Sequence, residues 1–225
     1  MIKAHPTDTL LRSFAADELP LPLAVGLSAH CELCPDCAAR LSLFEEELAQ
    51  QYLASPLDGE PDVADPLPAG LDAILADIVA QPQPPLVRAL PQLAAPELQI
   101  AEHAYRLPRV LARHQVVKWR HMGAIRQHSL PLDEMGARAS FIHIEAGGHI
   151  PEHTHQGYEL TLLLAGNMQD GGTCYQAGDF IWRDASHAHS PYTTDGCLCY
   201  TVQDAPVQFT KGLSRLLNGI SQHLY

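Results

Sequence analysis

The stretch that most constrains this chain is Gly147 to Gly166, Gly-Gly-His-Ile-Pro-Glu-His-Thr-His-Gln-Gly-Tyr-Glu-Leu-Thr-Leu-Leu-Leu-Ala-Gly. His153 and His155 are two residues apart, so on a β-strand both imidazoles project from one face. Glu159, Thr161 and Leu163 form a second same-face row. A strand turns such side chains toward one point only if it pairs in register with its neighbours, which makes a β-rich fold the natural setting. Neutral imidazoles with one carboxylate suit Zn, Fe, Mn or Ni better than Ca or Mg, which prefer all-oxygen shells. The ligand types do not choose among those four.

The surrounding sequence agrees with strands. Beyond about Leu98 come short alternating segments, among them Trp119 to Leu130, Phe141 to Glu145, Leu160 to Leu164, Phe180 to Arg183 and Leu198 to Val202. Gly147-Gly148, Gly166-Asn167, Gly171-Gly172 and Ala177-Gly178-Asp179 punctuate them as turns. Many short strands between turn signals predict a sandwich or barrel.

The first part of the chain reads differently. Residues 1–97 hold four Lys/Arg against fifteen Asp/Glu, whereas the remainder holds ten against eleven. An acidic module disfavours direct nucleic-acid binding and favours a basic partner. A short helix is expected over residues 7–16, with Thr7 as N-cap, then an apolar segment from Leu21 to Ala29. A longer helix should start near Pro35 and run to about Ala54, with Leu41, Phe44, Leu48, Gln51 and Tyr52 recurring at intervals of three and four to give one buried side. After a proline-rich loop from Pro56 to Pro68, a fourth helix is expected from Pro68 or Ala69 to Gln81. Its apolar stripe, Leu71, Ile74, Leu75, Ile78 and Val79, either packs on its own bundle or faces a partner. Prolines between Pro82 and Pro96 indicate a linker. No apolar run approaches the roughly 18 residues of a membrane span, and the opening Met1-Ile2-Lys3-Ala4-His5-Pro6 lacks the pattern of a secretion signal. A cytosolic protein is therefore expected.

Cysteines in such a setting are ligands or redox groups more often than disulfides. His30-Cys31-Glu32-Leu33-Cys34-Pro35-Asp36-Cys37 contains His-x3-Cys-x2-Cys. Thiolates of a Cys-x-x-Cys step at a helix start converge on one ion, and His30 can approach the same point. A fourth tetrahedral ligand is needed, with His5 the first candidate and Cys31 its competitor. A thiol–disulfide exchange motif would instead follow a strand in an α/β pattern, and this region reads as helical.

His5 with His30-x3-Cys34-x2-Cys37 on a small acidic helical module resembles the zinc-binding anti-sigma domain of bacteria. The resemblance implies that His5, His30, Cys34 and Cys37 hold zinc, and that the module blocks an extracytoplasmic-function sigma factor. Farther along, Gly147-x5-His153-x-His155-x3-Glu159-x6-Gly166 resembles the first cupin motif, and Gly178-x5-Asp184-x-Ser186-x2-His189 follows the second in spacing. Asp184, Ser186 and Thr193 replace the usual Pro, Gly and Asn. The resemblance makes His189 the fourth ligand beside His153, His155 and Glu159, with His187 as competitor. His143 and His149 are expected at turns or on the surface.

Both modules together resemble the ChrR-type anti-sigma factors over nearly the whole chain. The implied fold is two domains, a small all-α zinc-binding helical bundle followed by an all-β cupin (double-stranded β-helix) barrel. The boundaries expected are 1–81 for the zinc-binding domain, 82–97 for the proline-rich linker and 98–225 for the cupin. The implied function is sequestration of an extracytoplasmic-function sigma factor, relieved when the cupin, holding Zn or another divalent metal (Fe, Mn, Ni), senses singlet oxygen or a related oxidant or small ligand. Cys197 and Cys199 are either oxidant targets near that metal or buried core residues. In this reading the protein is a regulator with no catalytic residues. The competing expectation is a metal-dependent, dioxygenase-like cupin enzyme carrying the zinc module as an interaction tag.

Overall fold

The computed structural model describes residues 1–54, 70–81, 97–114 and 118–219. The loop expected from Pro56 to Pro68 and most of the 82–97 linker lie outside them. Four helices come first: α1 (Asp8–Ala15), α2 (Leu21–Leu33), α3 (Pro35–Ala54) and α4 (Leu71–Ala80). Eleven strands follow among the described residues: β1 (Glu97–Ile100), β2 (His103–Arg106), β3 (Arg120–Met122), β4 (Ile125–Glu134), β5 (Ala137–Ile144), β6 (His153–His155), β7 (Glu159–Asp170), β8 (Thr173–Gln176), β9 (Phe180–Arg183), β10 (Cys197–Gln203) and β11 (Val207–Phe209). Helices followed by a β-rich cupin-like domain are what the sequence led us to expect. Packing divides the chain into two compact units, Met1–Glu46 together with Ala95–Tyr225, and Glu47–Ala94.

Local chemistry sets the helix ends. Thr7 Oγ1 accepts from the Leu10 amide at 3.3 Å and caps α1. α2 continues past Ala29 to Leu33, where Cys34 turns extended and its N–H still bonds the His30 carbonyl. Pro35 then opens α3, as a proline can at a first helical position. Along α3 only Cys37 and Phe44 are buried, so the wider apolar side expected there is half-open. Tyr52, expected on that side, is 79% exposed.

In the larger unit, the main sheet runs β3-β4-β5-β10-β7-β8, with β9 also on β7. A short β6–β11 pair forms a second layer, tied back by a bridge between His153 and His189. One face of β7 and β10 looks inward: Leu163, Cys197 and Cys199 pack there with Ile144, Met168, Tyr175 and Ile181. The other face carries Leu160, Leu162, Leu198, Tyr200 and Val202, which join Leu23, Leu27 and Ala29 of α2 and Leu11 of α1 in one core. α1, α2 and, through Phe44, the first part of α3 thus share their core with the sheet.

Gly26 makes the helix-to-sheet approach possible. A Cβ at that position would lie 2.5 Å from Leu160 Cδ2 and 3.2 Å from the Tyr200 ring. Alongside, the buried Tyr200 hydroxyl donates to the Pro22 carbonyl at 2.8 Å. Replacing Gly26 by Val forces the helix off the sheet and is expected to destabilise the protein by about 1–3 kcal/mol. Tyr200→Phe should cost about 1 kcal/mol. Urea unfolding followed by far-UV circular dichroism measures both, and a Gly26→Val variant as stable as the parent would contradict this packing.

Candidate metal centres

Two groups of ligand-bearing side chains converge in the larger unit. In the first, one ligand atom each from His5, His30, Cys34 and Cys37 lies within 4.8 Å of every other. The break between α2 and α3 creates this arrangement, because it turns Cys34 and Cys37 back toward His30. His5 Nδ1 lies 3.5 Å from Cys34 Sγ and 3.4 Å from Cys37 Sγ. Tetrahedral zinc with ordinary bond lengths separates a sulfur from a nitrogen by about 3.6 Å. His30 Nδ1–H donates to the Gly178 carbonyl at 2.8 Å, while its buried Nε2 has no protein partner. A buried imidazole lone pair without a partner is costly unless something electrophilic meets it. Cys31, the competing ligand, stays outside the cluster and packs against the shared core.

Burial sets the electrostatics of this group. It lowers His30 to about 4, against the backbone hydrogen bond to Gly178. Burial, then the hydrogen bond with Cys34, pushes the Cys37 thiol up to about 12. His30 is therefore neutral and ready to coordinate at neutral pH, whereas metal uptake must expel a proton from Cys37.

The second group comprises His153 and His155 on β6, Glu159 at the start of β7 and His189, with ligand atoms again within 4.8 Å of one another. His153 Nδ1–H donates to the Pro151 carbonyl at 2.9 Å, and His189 Nδ1–H to Asp170 Oδ2 at 2.9 Å. Those bonds leave the Nε2 lone pairs for the centre. His155 Nε2 sits 3.0 Å from His189 Nε2 and 3.3 Å from Glu159 Oε2. Lone pairs that face each other so closely repel unless a proton or cation lies between them. The spacing also matches donors on adjacent positions of one metal, about 3.0 Å for bonds of about 2.1 Å at right angles. Glu159 Oε1 accepts from Gln203 Nε2 at 2.7 Å, which fixes the carboxylate. His187, the competitor for the fourth place, is exposed and bonds Asp184 and Ser186 instead.

Burial would raise Glu159, but the hydrogen bond and charge of His155, with His153 and His189, outweigh it and hold the carboxyl at about 2. His153 is lowered to about 4, first by burial, against the pull of Glu159. A buried carboxylate beside three imidazoles, with His153 neutral at neutral pH, is a set suited to a divalent transition metal.

Two outer residues escaped the sequence reading. Asp170, buried at the end of β7, accepts from both His189 and Arg183, the latter at 3.1 Å. Arg183 in turn reaches the Tyr175 hydroxyl at 3.0 Å. Asp170 has the wrong parity to share a face with Glu159 on a regular strand. An irregularity where Leu198 meets Ala165 but Cys199 meets Leu163 inserts an extra residue in β7 and brings Asp170 onto the inner face. Only an irregular strand pairing, which local periodicity does not reveal, could have found it.

His143, expected at a turn or on the surface, is instead buried on β5, where its Nε2 lies 3.1 Å from the Tyr105 hydroxyl. The β5–β10 pairing and the Tyr105 contact cover it. His149 is exposed, as expected. Cys197 and Cys199 are both buried, free and hydrogen-bonded to each other, and Cys199 lines the cavity beside the second centre. That cavity measures about 30 Å³.

Asp170→Asn should lower metal affinity at the second centre by about 10–100-fold, because outer carboxylates orient and strengthen histidine ligands. Competition with a chromophoric chelator measures it, and an unchanged affinity would remove Asp170 from the site. Acid should also act on the metal-free chain. His30 and His153 sit near 4 when folded against 6.5 ordinarily, so between those values the folded state binds fewer protons. Their contribution is whole above pH 6.5 and fades as pH falls toward 4, by at most about 3 kcal/mol for each group. Urea midpoints measured across that window should fall; a flat profile would contradict the burial of neutral rings.

Comparison with known proteins gives this pair of centres a family. Residues 108–207 match the family described as the ChrR cupin-like domain. Across 228 aligned residues, 96% of each chain, the sequence is 30% identical to the anti-sigma-E factor ChrR of Cereibacter sphaeroides. In structure it is similar to a chain of Rhodobacter sphaeroides SigE in complex with the anti-sigma ChrR, with TM-score 0.66 and 26% identity, covering 90% of this chain and 99% of that one. With that identity over nearly the whole length of both chains, the chain belongs to the family of ChrR anti-sigma factors.

Proposed function

We propose that this protein captures an extracytoplasmic-function sigma factor and lets it go when its cupin responds to an oxidant. The observation that carries the reading is the likeness, over nine-tenths of the chain, to ChrR as found in complex with SigE. In this reading residues 1–81 form the capturing module, 82–97 a linker and 98–225 the sensing cupin. His5, His30, Cys34 and Cys37 hold zinc. His153, His155, Glu159 and His189 hold Zn, Fe, Mn or Ni. The place of action is the cytoplasm, where RNA polymerase works.

The chain's own chemistry supports each part. Zinc at the first centre contributes folding free energy on the order of 10 kcal/mol, enough to fix the break between α2 and α3. An acidic first part suits a basic partner by long-range attraction. In α4 no residue is buried, and Ile74, Leu75, Ile78 and Val79 are between 49% and 80% exposed. Such a stripe, bare among the described residues, suits a partner's helical groove better than water. At the second centre, a cavity of about 30 Å³ admits a water- or dioxygen-sized molecule but is small for an organic substrate. That favours sensing a small oxidant over turning over a metabolite.

Release requires two states and an input that favours one of them. Damage or oxidation at the cupin centre supplies the input, and the buried Cys197–Cys199 pair beside it is a candidate target. The zinc-replete chain is expected to block transcription by holoenzyme carrying an extracytoplasmic-function sigma factor from the same genome. The double variant Ile74→Glu, Ile78→Glu should weaken capture at least about 10-fold, as loss of apolar anchors does. His153→Ala should keep capture but lose release under photochemically generated singlet oxygen. If no sigma factor of that class is bound, the proposal fails; if His153→Ala still releases its partner normally, the sensing half fails alone.

A further inference from the structure

We propose that Gly178 and Asp179, in the turn between β8 and β9 of the cupin, are positioning residues of the N-terminal His/Cys centre. The proposal rests on the reading that His5, His30, Cys34 and Cys37 bind a metal. Two of those four ligands are held by this turn. The Gly178 carbonyl accepts the Nδ1–H of His30 at 2.8 Å and so presents the unpartnered Nε2 to the centre. Carbonyl acceptors of this kind set the tautomer and the aim of metal-binding imidazoles. The Phe180 ring closes edge-on against His30, with centroids 5.5 Å apart.

His5 is held through its backbone. Asp179 Oδ1 accepts from the amides of Lys3 at 2.6 Å and Ala4 at 2.9 Å, and the Phe180 amide donates to the Ala4 carbonyl at 2.9 Å. The other carboxylate oxygen accepts from the Gln176 amide at 2.7 Å, which ties the anchor to its own turn. Ile2 lies against Gly178, where an added Cβ would come within 2.5 Å of its side chain at a φ of +96°. Asp179 is wholly buried. Sinking a carboxylate is costly unless hydrogen bonds compensate it, and here the backbone amides of Lys3 and Ala4 supply two of them. The one residue of chemical consequence that this anchor fixes is His5, the next in sequence.

The same strand serves the other centre. From Phe180, β9 runs on to Arg183, which bonds Asp170, the carboxylate that orients His189.

The test uses the full chain loaded with Co(II), because thiolate-to-cobalt charge-transfer absorption reports only the centre that contains Cys34 and Cys37. In Asp179→Asn, transfer of that cobalt to a chelator should be at least about 10-fold faster than in the parent, with metal loss from the cupin centre unchanged. If the parent binds cobalt without a charge-transfer band, the ligand reading has failed. If the band is present but the variant loses it at the parent's rate, the anchoring is overturned. Equal acceleration at both centres also overturns it, since general loosening would then be the cause. Should the variant not fold, hydrogen exchange on the parent decides. The amides of Lys3 and Ala4 should exchange at least about 10-fold more slowly with the N-terminal metal than without it, and equal rates would end the proposal.

Discussion

A sheet that spends one face on charged and ligand-bearing side chains must find its hydrophobic stabilisation on the other. In this protein α2 provides it. Leu160, Leu162, Tyr200 and Val202 face Leu23, Leu27 and Ala29, and Gly26 lets the two backbones close together. The inner face is then free to hold Glu159 and Asp170 away from water. Burying those carboxylates is unfavourable by itself, and His155, His189 and Arg183 compensate through charge-assisted hydrogen bonds. The polar interior of the cupin thus depends on an apolar contact made by the helical module.

What the sequence made legible was local. His153 and His155 two apart, the His-x3-Cys-x2-Cys step, and glycines at turns each express a spacing that the chain cannot hide, and the four helices and the strand-rich remainder followed from periodicity. Less legible was anything decided across the fold. α2 is apolar nearly all round because helices and sheet enclose it, so its sequence gave no face to orient. In β10, Cys197 to Val202 are buried on both sides, which erases the alternation that normally distinguishes core from solvent. Asp170 was concealed by a single extra residue in β7. His143 read as a surface group because nothing nearby in sequence announces the Tyr105 that covers it.

Both centres follow one design rule despite different ligand chemistry. In each centre buried imidazoles spend Nδ1 on a fixed oxygen: His30 on Gly178, His153 on Pro151 and His189 on Asp170. Such bonds commit the tautomer before any ion arrives. The first centre adds thiols, which suit zinc, and the second a carboxylate, which widens the range to redox-active metals.

The bond between Ala4 and Asp179 joins residues 175 positions apart. On the ribosome, synthesis runs for most of the chain before that carboxylate exists, and contacts so distant in sequence form late. His5 is therefore made long before the turn that secures its segment. A nascent or truncated chain ending before the β8–β9 turn has all four Cys and His side chains of the first cluster but lacks the turn that holds two of them. Completion of the cupin thus precedes the final ordering of the Cys and His cluster.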